Sequence, residues 1–235
     1  MQTPKHKIWL ALLPAMTLPV LASLCYFMLW SDHIFARWLY GFTKLFTLVW
    51  PVIAVLFITR TGWPRFNLAD QVHRRALPLG IFLGIGIIGA MWTLLLTPCG
   101  DVVLSSAPKI RAKVQALGIL NHYWTFGLFL SLIHSLLEEY YWRWFVYGHL
   151  RQVVGNGLAH GLAGVAFSAH HIVVTTQYFP LAWGVMFGAL TGVGGIFWSL
   201  MYQRQRTLAG AWISHVWVDL GILSIGHRLL FGTYF

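Results

Sequence analysis

Acidic side chains are nearly absent from this chain: there are six in 235 residues, and the only two glutamates are adjacent, Glu138 and Glu139. Charged residues make up 9% against 58% hydrophobic, which excludes an ordinary soluble globule, where about a quarter of positions are charged. Cysteine occurs twice, at Cys25 and Cys99, with no spacing that would build a disulfide framework or a thiolate metal site. No low-complexity tract, linker or internal repeat divides the sequence, so 1-235 reads as a single multi-pass membrane domain. The HExxH zinc motif is missing. The eleven histidines do not form the repeated HxxHH boxes that a membrane di-iron oxidase would need.

What the chain does have is long apolar runs of about 18 to 25 residues, the length a helix needs to cross ~30 Å of hydrocarbon. Seven are countable: Ile8 to Trp30, Trp38 to Thr59, Leu77 to Leu96, Tyr123 to Tyr147, Leu158 to Thr175, Leu181 to Tyr202 and Leu208 to Phe231. Nothing alternates as barrel strands would, so the expected fold is all-α, a polytopic membrane helix bundle. The first run follows Lys5 and Lys7 but has no small-residue cleavage site, and it is read as a retained span. The glycines Gly188, Gly192, Gly194 and Gly195, with a GxxxG spacing, predict a close helix contact in the sixth span.

A formal charge of +10 would suggest nucleic acid for a soluble protein, but here the cations occupy gaps between apolar runs, and no nucleic-acid partner is expected. Lys5 and Lys7, then Arg60, Arg65, Arg74 and Arg75, then Arg151, then Arg204 and Arg206 fall on one side of successive spans. That pattern predicts a cytoplasmic N-terminus. One connection disagrees: Lys109, Arg111 and Lys113 follow the third span and suggest a basic amphipathic helix on the bilayer surface, or a span count off by one.

Ionisable residues inside spans are costly, by ~2.5 to 3.5 kcal/mol on insertion scales, and usually face a functional cavity. Three clusters qualify. In EEYYWR, Glu138 to Arg143, Glu139 and Arg143 have the i,i+4 order that favours an ion pair on one face. Glu138, about 100° away, has no cation partner in its own helix, and His134 lies one turn earlier. In FSAHH, Phe167 to His171, the adjacent His170 and His171 point to different faces, so one of them is expected to reach a shared cavity. In HVWVD, His215 to Asp219, the same i,i+4 spacing lets the carboxyl fix the tautomer and orientation of the ring. A carboxylate and two histidines on three helices could assemble a buried water-activating site. A transporter or channel would retain the same residue types.

The three clusters, in this order, resemble the motifs EExxxR, FxxxH and HxxxN or HxxxD of the CPBP intramembrane proteases. That family includes the type II CAAX prenyl endopeptidases and bacterial relatives linked to bacteriocin processing and self-immunity. The stretch Gly184 to His215 also resembles the family's glycine-rich helix, basic turn and histidine helix. The resemblance covers roughly Leu132 to Leu220, with the catalytic helices in 123-220.

The resemblance implies a glutamate-dependent endopeptidase of a bacterial cytoplasmic membrane, acting on a membrane-associated peptide or C-terminal tail. Carried over by motif position, Glu138 and His171 would activate water, His215 and Asp219 would bind the oxyanion, and Glu139, Arg143 and Phe167 would give structural support. Asp219 stands where many members have asparagine; it donates a hydrogen bond only if protonated and otherwise orients His215. Zinc on Glu138, His171 and His215 is the mechanistic rival, and the expectation is no metal cofactor. A non-catalytic immunity or binding protein would keep the same motifs. On these span limits His171 lies nearer the far side than Glu138, which predicts that the fifth helix tilts, starts later or breaks.

Overall fold

The computed structural model describes residues 3–30, 33–61 and 71–232, which form helices and short connections, with no strand among the described residues. In chain order the helices are α1 Lys5–Leu29, α2 Ile34–Thr59, α3 Gln71–Leu94, α4 Pro98–Ala116, α5 Leu120–Val154, α6 Asn156–Tyr178, α7 Leu181–Gln205 and α8 Ala209–Phe231. All except α4 and α5 are individually long and apolar enough to cross a membrane; α4 and α5 meet at a 92° bend and together make a seventh candidate crossing. The chain is therefore an all-α polytopic bundle, and each expected span finds its helix. Large apolar side chains such as Trp38, Phe57 and Phe82 are exposed at 71 to 73%, an outward apolar face suited to lipid.

Two packing devices fix the helices around the acidic segment. Pro19 lies inside α1 and cannot donate to the carbonyl of Ala15, one turn earlier. The Tyr141 hydroxyl of α5 donates to that carbonyl at 2.8 Å, so the group freed by proline becomes the anchor between the two helices. The second device is the predicted glycine contact. A Cβ on Gly188 would stand 2.5 Å from Ile172 Cα, and one on Gly192 would stand 2.9 Å from the Gly164 carbonyl oxygen. Only glycine lets α7 approach α6 this closely, and Ser168 Oγ then donates to the Gly188 carbonyl at 2.9 Å.

The ends of the bundle differ in charge. Thr3 Oγ1 donates to the Thr59 carbonyl, and Gln205 Nε2 to the Ala76 carbonyl, which brings the start of α1 beside the end of α2 and the start of α3 beside the end of α7. Lys5, Lys7, Arg60, Arg74, Arg75, Arg151, Arg204 and Arg206 all belong to helix termini or turns at this end; Arg65 lies outside the described residues. The dissenting cations sit on α4 at the other end and are used there. Arg111 donates to the Leu230 carbonyl at the close of α8, and Lys113 lies 5.5 Å from the ring centre of Tyr26. These contacts hold α4 against α1 and α8; the spans number six, or seven where α4 and α5 are taken together as one bent crossing.

Candidate active site

The acidic segment lies in α5 between two wide turns with i to i+5 hydrogen bonding, Leu130–His134 and Tyr140–Tyr147. Such turns shift the register of a helix and are frequent at functional sites. Glu139 and Arg143 are buried, with Arg143 Nε 3.2 Å from Glu139 Oε2, as the i,i+4 spacing predicts. The guanidinium lies between two rings, 4.5 Å from the centre of Phe167 on α6 and 4.8 Å from that of Trp198 on α7. A side chain at residue 195 would meet it, since a Cβ on Gly195 would be 3.3 Å from Arg143 Nη2. Cation–π contact stands in for water around this charge.

Glu139 has a second role that the motif spacing does not reveal. Its Oε1 accepts a hydrogen bond from His215 Nδ1 at 2.8 Å, across α5 and α8. Trp198 stacks on the same imidazole with centres 4.1 Å apart, and its Nε1 donates to Ser214 Oγ at 3.2 Å. The orienting carboxyl of His215 is thus Glu139, not Asp219. Asp219 lies on the other edge of the ring, 3.7 Å from Nε2. Glu138 is on that edge too, with Oε2 3.7 Å from His215 Nε2 and Oε1 3.7 Å from His134 Nε2. The adjacent glutamates point in different directions, and the imidazole of His215 sits where both can reach it.

His171 meets these groups from α6. Its Nδ1 donates to the Phe167 carbonyl at 2.9 Å, which leaves Nε2 as the free nitrogen. In FxxxH, the phenylalanine backbone therefore sets the tautomer of the histidine while its ring covers Arg143. His134, Ser135, Glu138, His171, His215 and Asp219 line one cavity of about 190 Å³. Leu130, Ile222 and Leu223 supply its apolar wall. The sequence-predicted depth mismatch disappears because α5 continues past Tyr147 to Val154. Glu138 is 16 residues before Val154 and His171 is 15 residues after Asn156, so both lie roughly 22 to 24 Å along antiparallel helices. No break or late start of α6 is needed.

The FxxxH spacing points to His171, yet His170 also belongs to this neighbourhood. Its ring stacks on Trp142 at 5.7 Å and 6°, and its Nδ1 is buried without a hydrogen-bond partner. Among the described residues, the donor atoms that converge within 4.8 Å are those of Glu138, His170 and His171, so His170 takes the place expected for His215 in a metal set. Tetrahedral zinc with bonds of ~2.0 to 2.1 Å holds its donors ~3.4 Å apart, so this trio fits a zinc ion after a small closure. Zinc bound there would act as a Lewis acid, with Glu138, His170 and His171 as its ligands.

No curated protein and no solved structure matches the chain. Residues 120–221, a little under half of the chain, match the family model described as type II CAAX prenyl endopeptidase Rce1-like; this region carries all three motifs, and the similarity agrees with their resemblance.

Proposed function

We propose that the protein is an intramembrane endopeptidase in which Glu138 directs water against a peptide bond of a membrane-associated peptide or C-terminal tail. The observation that carries this reading is the convergence of Glu138, His171 and His215 from three helices on one cavity, with both histidine rings held by their Nδ1 atoms. A water that donates to Glu138 and to His171 Nε2 spans acceptors about 4.5 Å apart, compatible with the 4.8 Å limit on these donor atoms. Its lone pair then faces out of the pair toward a substrate carbonyl.

Glu138 takes one proton from the water as the oxygen–carbon bond forms. The carbonyl electrons move onto oxygen, and that oxyanion accepts from His215 Nε2–H of the doubly protonated ring. Asp219, beside the same nitrogen, either donates as the protonated acid or balances the charge of the ring. Collapse breaks the carbon–nitrogen bond, and Glu138 returns its proton to the leaving amine. No step requires a metal, and a cofactor-free mechanism is our reading.

The test uses the full-length protein in liposomes with a library of membrane-anchored peptides in ¹⁸O water. Cleavage by wild type with one ¹⁸O in the new carboxylate, and none by Glu138→Gln, is the expected result. Solute flux abolished by Glu138→Gln, with no peptide cut, would establish the transporter reading instead. The basic end of the bundle supports a cytoplasmic N-terminus, and the motifs' resemblance supports a bacterial cytoplasmic membrane. A cysteine placed by R204C should accordingly react with an impermeant reagent only from the inner face; reaction only from outside reverses the topology.

A further inference from the structure

A second and larger cavity lies at the basic end, away from the Glu138 site. It has a volume of about 440 Å³ and is lined by Arg151 at the end of α5 and by Tyr202, Gln203 and Arg206 at the end of α7. We propose that this cavity holds an anionic phospholipid headgroup, gripped through its phosphate by Arg151 and Arg206.

Several features of the cavity point to that ligand. Neither arginine has an ion-pair partner among the described residues. The four described acids stand elsewhere, with Glu138, Glu139 and Asp219 at the buried site and Asp101 on α4. The carboxamide of Gln203 is fixed from behind: its Oε1 accepts from Tyr147 OH at 3.1 Å and from His160 Nε2–H at 2.7 Å, and the other nitrogen of His160 is 2.6 Å from Ser199 Oγ. With its oxygen committed, Gln203 has only its NH₂ to offer the cavity.

The lining is thus two guanidiniums, a phenol and an amide NH₂. Such donors suit a group whose acceptor oxygens point several ways at once, and guanidinium is the side chain that best matches phosphate. The volume leaves room beside the phosphate for the rest of a headgroup. The position at the ends of two spanning helices is where basic pockets meet anionic lipid. These residues take no part in the proposed peptidase chemistry, so the two ideas stand or fall separately.

The experiment uses full-length protein in nanodiscs containing equal phosphatidylglycerol and phosphatidylcholine, with retained lipid read by native mass spectrometry and folding by thermal unfolding. Wild type should retain phosphatidylglycerol several-fold over phosphatidylcholine. R151Q/R206Q should lose that preference, R151K/R206K should keep part of it, and R204Q, whose side chain does not line the cavity, should keep it whole. A parallel arm adds inorganic phosphate to protein in detergent; stabilisation equal to that by phosphatidylglycerol would make the ligand a soluble phosphate and overturn the lipid assignment. Equal retention of the two lipids by wild type, or an undiminished preference in R151Q/R206Q, would also overturn it.

Discussion

Glu139 Oε1 accepts from His215 Nδ1 at 2.8 Å, while its other oxygen lies 3.2 Å from Arg143 Nε. One buried carboxylate therefore neutralises the arginine and orients the histidine. Removing it leaves the guanidinium buried between Phe167 and Trp198 without a counter-charge, and breaking a buried pair in this way costs about 3 to 5 kcal/mol. Glu139→Ala should lower the melting temperature in detergent sharply, whereas Glu139→Gln, which keeps an acceptor for His215, should recover part of the peptidase activity. Equal stability of wild type and Glu139→Ala would refute the shared role.

Glu138 and Asp219 should separate by the size of their effects. General acid–base groups contribute about 10² to 10⁴-fold, and Glu138→Gln should lose turnover in that range with little change in stability, because its neighbours His134 and His215 stand 3.7 Å away, beyond hydrogen-bond distance. Asp219 stands 3.7 Å from His215 Nε2 and does not hold the ring in place. Asp219→Asn, which offers an amide donor at the position where many motif relatives have one, should therefore retain most activity, and Asp219→Ala should be the slower of the two. Single-turnover kinetics on the purified variants checks the order, and an inactive Asp219→Asn beside an active Asp219→Ala would contradict it.

Packing of α7 on α6 rests on positions where a methyl group has no room. Gly188→Ala puts a carbon 2.5 Å from Ile172 Cα, a backbone atom that cannot rotate away. Overpacking of this sort typically costs about 1 to 3 kcal/mol, and the helices must separate to relieve it. The expected outcome is a lower melting temperature together with reduced activity, since Ile172 adjoins His171. Gly157→Ala, where the added carbon meets nothing within 4 Å, is the matched control and should behave as wild type.

Metal dependence turns on His170 as well as His171. If Glu138 and His171 hold water alone, purified active protein should contain no stoichiometric zinc, and His170→Ala should remain active with its loss confined to stability. Elemental analysis and assay after chelation measure this directly. Stoichiometric zinc that disappears in His170→Ala, with activity lost alongside it, would show that the trio within 4.8 Å is a metal centre.

Parts of this site could be read from spacing and parts could not. Glu139 with Arg143 follows from one helical turn, and the three apolar clusters are visible because charge is so rare elsewhere. The bond from Glu139 to His215 joins residues 76 positions apart and depends on how α8 seats against α5, which no local pattern encodes. The favourable spacing of His215 and Asp219 pointed to the wrong orienting carboxyl for that reason. Hydropathy also ended the fourth span at Tyr147, because Gly148, His149 and Arg151 break the apolar run while the helix itself continues to Val154. That extension is what levels Glu138 with His171. The 92° bend between α4 and α5 was likewise hidden, since the composition of the two segments gives their helicity but not their angle.

If Glu138 directs hydrolysis of a membrane-associated peptide bond, its loss changes which peptides the membrane holds. Comparing the membrane peptidomes of cells carrying wild type and Glu138→Gln at equal protein levels tests it most directly. At least one peptide or C-terminal tail should be shortened in wild-type membranes and full-length in the variant; identical peptidomes in both would show that Glu138 directs no such cleavage.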